Sequence, residues 1–125
     1  MEKEGDPVIV SLVEDDPDVL ALLAELLRAH GHEPREILIC VGDTIESGLE
    51  RLAKANAPVV VMDLGMPVPG PDLLRAAQND GRFSNVRYLI ASAGFEPARV
   101  DLPGVRTISK PYEVPELLAA IEGRV

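Results

Sequence analysis

The sequence predicts an α/β fold, an open parallel sheet with helices on both faces. Strand-like and helix-like segments alternate from one end of the chain to the other, the order that builds parallel strands through helical crossovers. The segments VIVSLV (Val8 to Val13) and VVVM (Val59 to Met62) are apolar at nearly every position. That character suits central strands covered on two sides, not half-exposed ones. The intervening segments carry helix start and stop signals at both ends.

Taken in order, the first strand is punctuated by EDDP, after which Asp16 caps a helix with Pro17 at its first position and Gly31 just past its end. Val19, Leu22, Leu23, Leu26 and Leu27 form its expected buried stripe. Residues 35–41, REILICV, read as the second strand, which buries Cys40. In GDTIESGLERLAKAN, Asp43 and Glu46 have capping-box spacing, and Ile45, Leu49 and Leu52 face inward. Pro71 to Gln78 read as a short third helix, Tyr88 to Ser92 as a fourth strand and Val105 to Ile108 as a fifth. The tail holds a last helix, with Val114, Leu117, Leu118 and Ile121 spaced i, i+3, i+4, i+7. Neither an internal repeat nor a linker interrupts the 125 residues, so one domain is expected, with its core at about 7–122.

Composition narrows the function. Lys and Arg number 12 against 21 Asp and Glu, a formal charge of −9. Such a surface disfavours direct contact with nucleic acid or an anionic membrane. Aromatic residues make up 3% and tryptophan is absent, which leaves few stacking platforms for bases. No apolar run is long enough to span a membrane, and the charged start MEKEGDP is not a secretory signal. With the single Cys40, these features point to a cytoplasmic protein without a disulfide framework.

In an open parallel sheet the functional crevice lies beyond the carboxyl ends of the strands. Strand one ends at Glu14, Asp15 and Asp16, strand three at Asp63, strand four at Ser92 and strand five at Ser109 and Lys110. Carboxylates gathered at one rim repel one another unless a cation neutralises them. With no histidine or cysteine beside them in sequence, an all-oxygen set suits a hard ion such as Mg²⁺, which keeps waters and binds phosphate oxygens. A lysine and a hydroxyl at the same rim match a transferring phosphoryl group: Lys110 offsets charge, Ser92 donates a hydrogen bond, and Asp63 is the carboxylate that accepts the group.

The acidic LVEDDP, the loop MDLGMP, the pair Ala91–Ser92 and SKPY from Ser109 to Tyr112, all at strand ends and in order, make the chain resemble the receiver domains of two-component response regulators. The resemblance runs from Val8 to Ile121. It implies a doubly wound, five-stranded, flavodoxin-like sheet of order 2-1-3-4-5. It implies a signalling switch that takes a phosphoryl group from a histidine kinase or phosphotransfer protein onto Asp63, with Mg²⁺, and loses it by slow autodephosphorylation. Carried across, Asp15 is a direct metal ligand, Glu14 acts mainly through water, Asp63 touches the metal, and the backbone carbonyl of Gly65 completes the set. Pro111 suggests a cis bond after Lys110. A downstream protein or another domain of a parent protein would read the switch.

The chain departs from the family in several places. The loop MPVPG and the stretch from Ser92 to Lys110 are shorter than in a common receiver, so the fourth helix, within 97–102, is expected to be short or missing. Thr107 stands where the family carries an aromatic that reports phosphorylation. The loop from Ala93 to Gly104, with Tyr112, is then expected to carry the response.

Plainer readings apply to several residues. Asp16 is expected to cap its helix and not to bind metal. His30 and His32 are expected at the surface or as partners of a helix dipole, and Pro67, Pro69 and Pro71 as a rigid turn. Two rival functions stand beside the switch. A pseudo-receiver would only bind protein. A phosphohydrolase with an aspartyl intermediate would want a second acid, where Leu64 and Gly65 follow Asp63. A flavodoxin-type cofactor loop is disfavoured because EDDP repels phosphate without a metal.

Overall fold

The computed structural model describes residues 6–63, 65–67, 70–93, 104–110 and 113–123, and for residues 92, 93, 109 and 110 it describes the backbone. The elements run β1 (Ile9–Glu14), α1 (Pro17–Ala29), β2 (Glu33–Leu38), α2 (Ile45–Ala55), β3 (Val59–Asp63), α3 (Gly70–Gln78), β4 (Arg87–Ala93), β5 (Val105–Lys110) and α4 (Val114–Ile121). A single 3-10 turn, Gly81–Phe83, precedes β4. The five strands pair in parallel in the order β2-β1-β3-β4-β5, the doubly wound arrangement expected.

Strand periodicity divides the core into two layers. Val10, Leu12, Val59, Val61 and Leu89 point to the face covered by α1 and α4. Their neighbours Val13, Val60, Met62, Tyr88 and Ile90 point to the face covered by α2 and α3. Alternate residues of the central strands are thus buried on opposite sides, which is why those strands read as continuous apolar runs. Gly48 lets α2 approach α3 closely: a Cβ there would lie 3.0 Å from Leu73.

Several local expectations are corrected. β2 begins at Glu33, where its N–H bonds to Val8, and stops short of Cys40. The chain turns at that point because the Asp43 carboxylate accepts from the Cys40 N–H at 2.7 Å while the Asp43 N–H bonds back to the Cys40 carbonyl. Cys40 is therefore exposed, not buried in a strand. With Asp43 committed to that turn, α2 is capped one residue later by a reciprocal Thr44–Ser47 pair, not by Asp43 with Glu46. In α1 the fully buried positions are Leu20, Ala24 and Leu27, and Leu22 is 68% exposed. Val114 is partly exposed, whereas Leu117, Leu118 and Ile121 are buried as expected. His32 is buried, against the surface position expected, while His30 does sit at the exposed end of α1, within 3.0 Å of the Leu26 carbonyl. The proposed short helix within 97–102, the bond before Pro111 and Tyr112 lie outside the described residues.

Candidate functional site

Parallel pairing delivers the chain's acids to one rim. The register aligns Val13 of β1 with Met62 of β3, so the next residues along the two strands are Glu14 and Asp63. Asp15 follows in the turn before α1. One carboxylate oxygen from each of Glu14, Asp15 and Asp63 lies within 4.8 Å of the others. Gly65 passes against this group: a Cβ on it would sit 3.7 Å from Oδ2 of Asp63.

The three acids differ in their surroundings. Glu14 is buried and Asp15 and Asp63 are half-buried. Oε2 of Glu14 accepts hydrogen bonds from the backbone N–H groups of Asp15 at 3.1 Å and Asp16 at 3.2 Å. Burial, more than any other cause, pushes the Glu14 carboxyl up to about 7. The Asp15 side chain and the charge of Asp63 push the same way, and the two backbone bonds oppose them. Asp16 belongs to the helix and not to the cluster. Its Oδ1 accepts from the N–H of Asp18 at 2.9 Å and of Val19 at 3.4 Å, the cap that its place before Pro17 implied.

The backbone of the other expected site residues reaches the same rim. Asp63 pairs with Ala91, the residue before Ser92, and Lys110 pairs with Ala93 across β4 and β5. The side chains of Ser92 and Lys110 lie outside the described residues. Thr107, opposite Ile90, is half-buried within β5. The recess among Leu12, Val13, Glu14, Leu23, Val61, Asp63 and Ala91 has a volume of about 10 Å³, room for one water. The burial of Glu14 is the feature the sequence hid, because an acid at a strand end reads as a rim residue whether or not α1 folds over it.

Neither a family model nor a curated protein matches the chain. Solved structures do match its fold. A sensor protein from Polaromonas sp. JS666 superposes with a TM-score of 0.76 at 24% identity, covering 92% of each chain. A response regulator receiver domain protein from Clostridium thermocellum gives 0.78 at 21%, over 93% of this chain and 92% of that one. The chemotaxis response regulator CheY4 of Vibrio cholerae gives 0.76 at 18%, over 94% and 98%. The chain therefore has the receiver fold of response regulators over most of its length. Among the described residues no helix is long and apolar enough to cross a membrane.

Proposed function

We propose that the protein is a phosphoryl-accepting signalling switch, with Asp63 as the acceptor and Mg²⁺ as the required ion. The observation that carries this reading is the convergence of Glu14, Asp15 and Asp63 at the carboxyl end of a receiver-type sheet. The donor set fits the ion. It is all oxygen, and the buried carboxyl of Glu14, held near 7 beside two other acids, is a group whose ionised form a cation would favour. Asp15, Asp63 and the Gly65 carbonyl would bind Mg²⁺ directly, and Glu14 through water. When bound, Mg²⁺ supplies positive charge that offsets the charge on the phosphoryl oxygens.

The rest is the work of the chain. An Asp63 carboxylate oxygen attacks the phosphorus of a phosphohistidine on a kinase or phosphotransfer protein. The new O–P bond forms as the P–N bond breaks, and the ring nitrogen that keeps the electron pair takes a proton from water, so that the imidazole leaves neutral. Lys110 steadies the phosphoryl oxygens as a point charge and Ser92 donates a hydrogen bond to them. Glu14 is anchored by the Asp15 and Asp16 N–H groups, so its carboxylate does not swing away from the rim. Water then attacks the phosphorus slowly, the O–P bond to Asp63 breaks, and inorganic phosphate leaves with the carboxylate restored; Leu64 and Gly65, not another carboxylate, follow Asp63 in sequence.

The test is incubation with a small phosphodonor. The parent protein is expected to gain one phosphoryl group with Mg²⁺ and none with EDTA, and Asp63→Asn to gain none in either. Calorimetry is expected to show modest Mg²⁺ affinity, lost when Asp15→Ala is combined with Asp63→Asn. A parent that binds Mg²⁺ without taking up phosphate would support the pseudo-receiver reading instead.

A further inference from the structure

The end of the strands opposite the acids holds a second constellation. His32, just before β2, is buried to 2% side-chain exposure and faces Glu122, just past α4, at 8%. Its Nδ1 accepts a hydrogen bond from the N–H of Val8 at 3.1 Å, and its Nε2 lies 2.9 Å from Oε2 of Glu122. A backbone N–H can only donate, so Nδ1 carries the lone pair and Nε2 carries the proton. This neutral tautomer bridges segments 24 and 90 residues away in sequence.

Arg87, at the start of β4, reaches the same helix end. Its Nη1 donates to the Ala120 carbonyl at 3.1 Å and its Nη2 to the Ile121 carbonyl at 2.6 Å. These carbonyls belong to the last turn of the helix, where the Ala120 carbonyl also accepts from the Gly123 N–H at 3.2 Å, and the cation suits the negative pole of the helix. At the opposite end of α4, among the described residues, Glu113 makes no side-chain cap and Val114 is 39% exposed.

We propose that His32 and Arg87 form a clamp that fixes the C-terminal end of α4 to the start of the sheet, so that α4 works as a lever whose moving end is its N-terminal turn, just past the rim. The clamp does not depend on chemistry at the acids; its use as a lever rests on the switch reading.

Amide hydrogen exchange on the whole chain tests the clamp without any ligand. An ordinary helix frays at its C-terminal turn. Here the Glu122 amide, bonded to the Leu118 carbonyl, is expected to exchange at least about tenfold more slowly than the Leu117 amide, bonded to the Glu113 carbonyl. Arg87→Gln and Glu122→Ala should each erase that difference while leaving the amide of Leu20 in α1 protected. Imidazole nitrogen shifts should show the Nε2–H tautomer at His32. Equal or faster exchange at Glu122, or an Nδ1–H tautomer, would overturn the clamp. The lever is then read by adding Mg²⁺ with beryllofluoride. Shift changes are expected at residues 114–118 and not at 120–123 in the parent, spreading to 120–123 in Arg87→Gln. Equal changes at both ends of the parent helix would overturn the lever. Silence at Glu14, Asp15 and Asp63 would instead be a failure of the acidic-site reading, with the clamp still decided by the ligand-free exchange.

Discussion

Replacing Glu14 with glutamine isolates the electrostatic cost of the acidic rim. The carbonyl oxygen of glutamine accepts the same two backbone N–H bonds that Oε2 of Glu14 accepts now, so the change removes the ionisation and little else. In the metal-free protein the Glu14 carboxyl is raised from 4.5 to about 7. Between those values the folded state holds a proton that the unfolded chain has released. The contribution to stability is therefore fully present below the unfolded value and is lost as pH rises through the folded one. At about 1.4 kcal/mol per pH unit the shift amounts to about 3 kcal/mol, most of which falls between pH 5 and pH 8. Urea unfolding followed by circular dichroism, in EDTA, measures this directly. Glu14→Gln should gain about 2–3 kcal/mol on the parent from pH 5 to pH 8, a change in midpoint difference of about 1–2 M urea. With saturating Mg²⁺ at pH 8 the advantage should shrink or reverse, because an ion that binds the folded parent stabilises it by mass action. A difference between variant and parent that stays constant over this pH range would refute the reasoning.

Other outcomes follow from the same geometry. Asp16→Ala should cost about 1 kcal/mol of stability through loss of the α1 cap and leave Mg²⁺ affinity unchanged by calorimetry. Leu73→Ala, at a fully buried position packed against Gly48, should cost about 2–5 kcal/mol in denaturant unfolding. Leu22→Gln, at the position that turned out exposed, should stay within about 0.5 kcal/mol of the parent.

The sheet and the rim were legible for one reason: both are written in short-range pattern. A strand buried on two faces must be apolar throughout, and a polar residue that ends it, as Glu14 and Asp63 do, must lie at the strand's carboxyl end. Parallel order then brings the ends together without further information. What was hidden depended on contacts distant in sequence or on competition for one side chain. Asp43 looks like a cap, but the Cys40 N–H claims its carboxylate, and the cap moves to Thr44. Leu22 fits the apolar stripe of α1 as well as Leu20 does, and only packing against the sheet, which buries Leu20 and leaves Leu22 outside, decides between them. His32 beside Gly31 reads as a surface residue because its partner, Glu122, is near the other end of the chain.

The central claim is that Asp63 accepts a phosphoryl group, and the most direct measurement is to locate the group. After reaction with a small phosphodonor in Mg²⁺, borohydride reduces an acyl phosphate on aspartate to homoserine, which peptide mass spectrometry places in the sequence. The account predicts homoserine at position 63 in the parent and its absence without Mg²⁺. A label on another residue with Asp63 intact, or reaction that proceeds equally in Asp63→Asn, would contradict it.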